Sequence, residues 1–422
     1  MVEKLAYRQM LYRAYFYNNS NFIIDLLGKL FIFIIYPFGG FLVALKDFKS
    51  KSSIIVFFLY FMLFGFAFTP ESEGLDSYRY IERFNYTKFD SSADFYSFVA
   101  DFLKFESEKT KDIYLFLSYY LVGLFTNNYH FLFLFFSIVF SLFYLKSFSI
   151  LVTNRNVTYS LSIVILVLWF GLSNPIFNIN GVRFWTASWI GVLSMYQIFI
   201  RNNKLFYLLA MITPLIHASF YLFILLLFLM LFTRKFDRFW LYIFYFSLLG
   251  LGTSFLSYSQ YFVDYLPPFL QKMVYLYTES DDALAKMEGI EKHIIIQIVE
   301  KLPHLYVMIL LFLIIKNKNL LKRNLVSRNL YQIVLIWYTF VYFTMNIPSV
   351  GGRFFAVGTP LLIYLWINSY SILKRYNEII IFGLPIAYSY VIWGWLVKMS
   401  LVTDPSFFYS PLYNIIYEAF QY

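Results

Sequence analysis

Apolar runs recur along almost the whole 422-residue chain, near residues 22–45, 53–69, 129–151, 158–174, 182–200, 205–232, 239–256, 294–315, 330–347, 354–373 and 378–397. Most are long enough to cross the roughly 30 Å of hydrocarbon in a bilayer as α-helices, the fold that satisfies every backbone group within one segment. The run 205–232 exceeds one crossing, and Pro214 and His217 interrupt it. This predicts two short helices meeting at His217. Counting that hairpin as two gives an all-α, polytopic bundle of about twelve helices.

Between the runs, charge alternates. Basic residues gather in Lys46, Lys49 and Lys51, in Arg155, in Arg201 and Lys204, in Arg234, Lys235 and Arg238, in Lys316 to Arg328, and in Lys374 and Arg375. The positive-inside rule makes these loops cytoplasmic. The two long polar loops, 70–128 and 257–293, are acidic and fall on the other side: residues 70–112 hold ten acidic and six basic residues, and 257–293 six and three. With this parity both termini lie outside. Inside the first loop, 112–127 (DIYLFLSYYLVGLFTN) is apolar but precedes a full span directly, so it is expected as an amphipathic helix on the outer membrane surface.

Composition agrees: 60% hydrophobic and 14% charged residues are the balance of an integral membrane protein rather than a soluble one. The expected organisation is an interfacial N-terminal segment (1–21), one integral membrane domain (22–397) and an external C-terminal tail (398–422). Residues 1–21 lack the apolar core and cleavage site of a signal peptide. The formal charge of +10 follows the loop pattern of a membrane protein and does not call for nucleic acid. With no cysteine, thiol catalysis, disulfides and thiolate metal sites are excluded.

The polar residues that remain within or beside apolar runs carry the candidate chemistry. Arg183 (NGVRFWTA) and Arg353 (SVGGRFFAVGTP) each open a spanning helix. A cation in a first turn opposes the helix dipole unless an anion lies between them. Snorkelling toward headgroups explains one such arginine more easily than two. Asn180 is the expected cap of the Arg183 helix, and Gly351 and Gly352 would let backbone amides approach a phosphate. Asp76 stands in GLDSYRYIERF, with Arg79 and Arg83 on the same helical face at i+3 and i+7. It reads either as an N-cap or as a general base, with Arg79 and Arg83 binding phosphate or tuning it. His217 is either a satisfied polar residue or a second candidate base. His130, His293 and His304 read as structural. No metal motif, phosphate-binding loop or dinucleotide fingerprint occurs, so neither metal nor cofactor is expected.

In order and spacing, GLDSYRYIERF, NGVRFWTA with its basic turn RNNK, IHASF and GGRFF resemble the EpsG/Wzy-type family of bacterial polysaccharide polymerases, over about residues 50–370. The glutamine that usually follows the arginine of the family's NxxRQ is Phe184 here, and its Asp-Tyr pair is Asp76-Ser77. The resemblance implies a bundle similar to GT-C enzymes or O-antigen ligases, in the bacterial inner membrane, with its active site facing the periplasm. It implies glycosyl transfer between repeat units carried on undecaprenyl pyrophosphate, with a flippase and a chain-length regulator as partners. Under it Arg183, Arg353, Arg79, Arg83 and Asn180 hold substrate, and Asp76 or His217 acts in catalysis. An O-antigen ligase and a lipid-linked oligosaccharide flippase are the rival expectations. A flippase would carry charge deep in several central spans, whereas these residues group near one face.

Overall fold

The computed structural model of the chain describes residues 21–86, 92–103, 113–249, 263, 265, 271, 294–347 and 350–421. The interfacial segment before residue 21, most of the loop 257–293 with His293, and parts of the loop 70–128 lie outside the described residues. Among the described residues every regular element is helical.

The first expected span divides. Residues 21–35 form α1, Tyr36 is extended (φ −148°, ψ 91°) and Pro37 opens α2 (Pro37–Lys46). A residue before proline is pushed out of the helical region, and proline suits the first helical position. Helix α3 (Lys51–Phe66) packs along α7 (Tyr129–Val152). Between them lie α4 (Asp76–Tyr86), α5 (Ser92–Leu103) and α6 (Tyr114–Gly123). The centre is built from α8 (Leu161–Ser173), a 3₁₀ turn (Ile176–Gly181), α9 (Val182–Phe199), α10 (Phe206–Ile216) and α11 (Phe220–Thr233). After α12 (Asp237–Ser247) follow α13 (Ile294–Lys316), α14 (Leu325–Phe343), α15 (Gly351–Asn368), α16 (Leu384–Ser400) and α17 (Leu412–Gln421).

By length and composition, four helical runs among the described residues could span a membrane: Tyr129–Val152, Leu161–Phe199 (which divides into α8 and α9), Ile294–Lys316 and Ile379–Ser400. A fifth joins Gly351–Asn368 to Tyr370–Tyr376 across an 81° bend. The expected spans at 22–45, 53–69 and 205–232 form apolar helices of 10–17 residues, each shorter at 1.5 Å per residue than the roughly 30 Å core, whereas 330–347 falls in α14, which has 19 residues. A membrane helix bundle is thus supported by four apolar runs of spanning length among the described residues, or five with the bent pair. Helix α6 packs beside α7 and buries Tyr114, Leu115, Tyr119 and Val122. Its outward face carries Leu117 and Leu121, so it is apolar all round rather than amphipathic.

The run Leu161–Phe199 doubles back at buried Asn174. Its side-chain amide donates to the Trp185 carbonyl (3.0 Å), and its carbonyl accepts from Trp189 Nε1 (3.2 Å). Residue 174 thus lies beside the first turns of α9, so α8 and α9 run antiparallel. Asn202, in the left-handed region (φ 54°), then turns the chain back into α10, a conformation asparagine tolerates better than most residues. Helix α11 follows after His217, so the hairpin expected there is present.

These reversals sort the helix ends. Asn329 Nδ2 donates to the Phe199 carbonyl (3.0 Å), Asn156 Nδ2 to that of Ile367 (2.9 Å), and Ser162 meets Tyr370 (3.0 Å). One end therefore collects the C-termini of α7, α9 and α15 with the starts of α8 and α14. The starts of α9, α11 and α15 lie at the opposite end. The C-terminal segment docks there, since Thr69 N donates to the Val402 carbonyl (2.9 Å) and Glu71 N to that of Leu401 (3.1 Å).

Candidate active site

Where α9, α11 and α15 begin, the bundle forms an open cavity of about 580 Å³. Asp76, Asn180, Arg183, His217 and Arg353 all line it, from four separate stretches of sequence. Arg183 is the second residue of α9 and Arg353 the third of α15. Each guanidinium lies against an aromatic face: Arg183 Cζ is 5.9 Å from the Tyr80 ring centre and Arg353 Cζ 5.3 Å from that of Phe184. Such contacts support a cation through the ring quadrupole without neutralising it. The Phe184 ring stands 5.4 Å from the His217 ring, edge to face, and 5.8 Å from that of Phe354. One buried phenylalanine thus spaces His217 from Arg353.

Asn180 does not cap α9 as expected; Gly181 is the N-cap residue and provides no side chain. Asn180 Oδ1 instead accepts from Ser77 N (3.1 Å) and Ser77 Oγ (2.7 Å). It satisfies an open amide at the start of α4, a helix more than a hundred residues earlier. Asp76 is correspondingly not the cap of α4 but its first helical residue. Asp76 Oδ2 comes to 4.0 Å of the point where a Gly181 side chain would begin, so the carboxylate sits beside the positive end of α9.

Gly352 lines the cavity with open space around its α-carbon, whereas Gly351 is buried. A side chain on Gly351 would come 2.6 Å from the Thr344 carbonyl oxygen. Gly351 therefore lets α15 begin against the end of α14, rather than presenting its amide to a ligand.

Residues 52–412 match the EpsG family. The chain belongs to the EpsG family, a family of Wzy-like polysaccharide polymerases. The matched stretch contains every residue that lines the cavity, from Leu75 to Val402. No curated protein and no solved structure matches the chain.

In this EpsG-family chain, Arg79 and Arg83 lie outside the cavity lining. Arg79 Nη1 is 3.9 Å from Asp76 Oδ1 with both side chains about half exposed, a separation at which water screens most of the attraction. Arg83 is exposed. The cavity holds a residue that sequence reasoning passed over, Lys398 in the last turn of α16. A lysine closing an apolar span reads as interfacial, and nothing in its local sequence links it to Asp76. Tyr80 and Trp185 also line the cavity; the signal for Tyr80 was its position one helical turn from Asp76.

Arg183, Arg353 and Lys398 against Asp76 leave the cavity with a net two positive charges when His217 is neutral. Among the described residues no carboxylate forms an ion pair with Arg353 or Lys398. His217 Nδ1 lies 3.2 Å from Ser219 N and 2.8 Å from Ser219 Oγ. A backbone amide can only donate, so Nδ1 is the acceptor and the ring proton of neutral His217 is on Nε2. The histidine then offers a donor rather than a base on its other nitrogen. His130 and His304 stand elsewhere, His130 buried with its Nδ1 2.7 Å from the Phe66 carbonyl and His304 half-buried against the Phe355 ring (4.2 Å). Among the described residues no three His, Cys, Asp or Glu side chains converge as a metal site.

Proposed function

We propose that this cavity is where the chain joins oligosaccharide repeat units, taking a glycan from undecaprenyl pyrophosphate and passing it to a hydroxyl of the next lipid-linked unit. The observation that carries this reading is the meeting of Arg183 and Arg353, each in the first turn of a different helix, in one cavity with a single carboxylate. A diphosphate between these arginines and the amide ends of α9 and α15 would be stabilised by both.

In the reaction, an acceptor hydroxyl oxygen bonds to the anomeric carbon, and the anomeric carbon–oxygen bond to the diphosphate breaks. The electron pair stays on the diphosphate oxygen, where the guanidinium groups stabilise the developing charge. The hydroxyl proton passes to Asp76, the carboxylate on the cavity wall. His217, donating through Nε2, orients a sugar or phosphate oxygen.

The orientation follows from charge. Arg155, Arg201, Arg328, Lys374 and Arg375 belong to the end of the bundle away from the cavity, joined there by the contacts of Asn156, Asn329 and Ser162. By the positive-inside rule that end is cytoplasmic, which turns the cavity to the periplasmic side of the bacterial inner membrane.

The test is polymer length in cells whose own copy is deleted. Arg183→Ala and Arg353→Ala should each lower chain extension by about a hundredfold or more, the usual cost of removing one group that stabilises developing charge. Asp76→Asn should block transfer while undecaprenyl pyrophosphate still binds. Surface glycolipid should then carry single repeat units. Long polymer from either arginine variant contradicts the reading, and loss of all attached glycan points to a ligase.

A further inference from the structure

The two arginines do not balance the reaction alone. A glycan diphosphate ester carries one negative charge on each phosphorus, and breaking the anomeric bond exposes a third ionisable oxygen. In the donor complex, Arg183 and Arg353 less Asp76 would leave one positive charge against two negative. After transfer, with Asp76 protonated, they would leave two against three. A net negative charge left in the cavity would weaken diphosphate binding at both stages. Lys398 lines the same cavity, and its ammonium supplies the missing charge before and after transfer.

We infer that Lys398 is a third diphosphate-binding group, matched to the charge of the departing lipid pyrophosphate; this rests on the proposed reaction. Its place in the fold differs from that of the arginines. They stand in first turns, where the helix dipole opposes a cation, whereas Lys398 lies in the last turn of α16, where the dipole favours one.

The wall that carries it is fixed to the wall that carries the carboxylate. The backbone bonds from Thr69 N to the Val402 carbonyl (2.9 Å) and from Glu71 N to the Leu401 carbonyl (3.1 Å) join the end of α16 to the segment leading to Asp76. Leu75 and Val402, one from each segment, line the cavity between them. Lys398 and Asp76 thus stand on neighbouring segments that are joined by backbone bonds and line the same cavity as the arginines.

The experiment uses the full chain in lipid nanodiscs, titrated with undecaprenyl pyrophosphate and with undecaprenyl phosphate. Lys398→Ala should weaken the pyrophosphate lipid about tenfold or more, as loss of a charged hydrogen bond does. It should alter monophosphate binding far less, and Lys398→Arg should restore the preference. Unchanged pyrophosphate affinity in Lys398→Ala overturns the inference, and so does an equal loss for both lipids, which marks a structural role. If Arg183→Ala and Arg353→Ala also bind the pyrophosphate lipid like the unmodified chain, the proposed reaction falls with it. If they lose it while Lys398→Ala does not, the inference alone falls.

Discussion

At the scale of single residues, neighbours in sequence divide different tasks. Gly351 and Gly352 are adjacent, yet one fits against a carbonyl and the other borders open space. Gly351→Ala should lower stability by about 1–3 kcal/mol through overpacking, whereas Gly352→Ala should be neutral or slightly stabilising in a helix. Thermal unfolding of the two variants in one detergent checks this, and equal midpoints would contradict it. The same distinction limits what sequence reveals. That Arg183 and Arg353 occupy first turns was legible, because an arginine just after an asparagine or a glycine pair and just before an apolar run has few other positions. That Asn180 serves Ser77 rather than its own helix was not, because a capping side chain is chosen by distance in space. The tautomer of His217 was equally hidden, since Ser219 is close in sequence but sets the ring only through its amide.

At the scale of elements, apolar run length and breakers located most helices within a few residues. The paired helices around His217 follow from a proline and a histidine in too long an apolar run. The break at Tyr36 follows from Pro37, although the sequence reading carried one span through it. Helix length was less legible. An apolar run shows what tolerates lipid, but not where the helix axis bends, as in the 81° turn after Asn368. Helix α6 shows the related failure: its apolar residues occupy both faces because one meets α7 and the other looks outward. The cavity exists because three helices begin at one level. The reversal at Asn174 and the left-handed Asn202 set α9 against α10, and α15 begins beside them where Gly351 permits it.

At the scale of the whole molecule, the contacts separate two ends, one basic and one bearing the cavity. The chain has no cysteine, so each introduced one reports alone. Gly352→Cys in intact spheroplasts should react with a membrane-impermeant thiol reagent, and Lys374→Cys should react only after the membrane is opened. The reverse pattern would put the cavity on the cytoplasmic side and remove the periplasmic reading. The joining of Lys398 to the cavity was invisible in sequence because it depends on the C-terminal segment folding back to residues 69–71. The family, by contrast, was legible from the order of short polar motifs, and the match over residues 52–412 establishes it.

The central claim is that guanidinium groups far apart in sequence hold one diphosphate. An experimental structure of the full chain in nanodiscs with undecaprenyl pyrophosphate tests it most directly. The account predicts diphosphate oxygens within about 3 Å of both the Arg183 and the Arg353 guanidinium groups, with the lipid leaving between helices at that end of the bundle. A diphosphate bound elsewhere, or held by one arginine while the other faces away from the cavity, would contradict it.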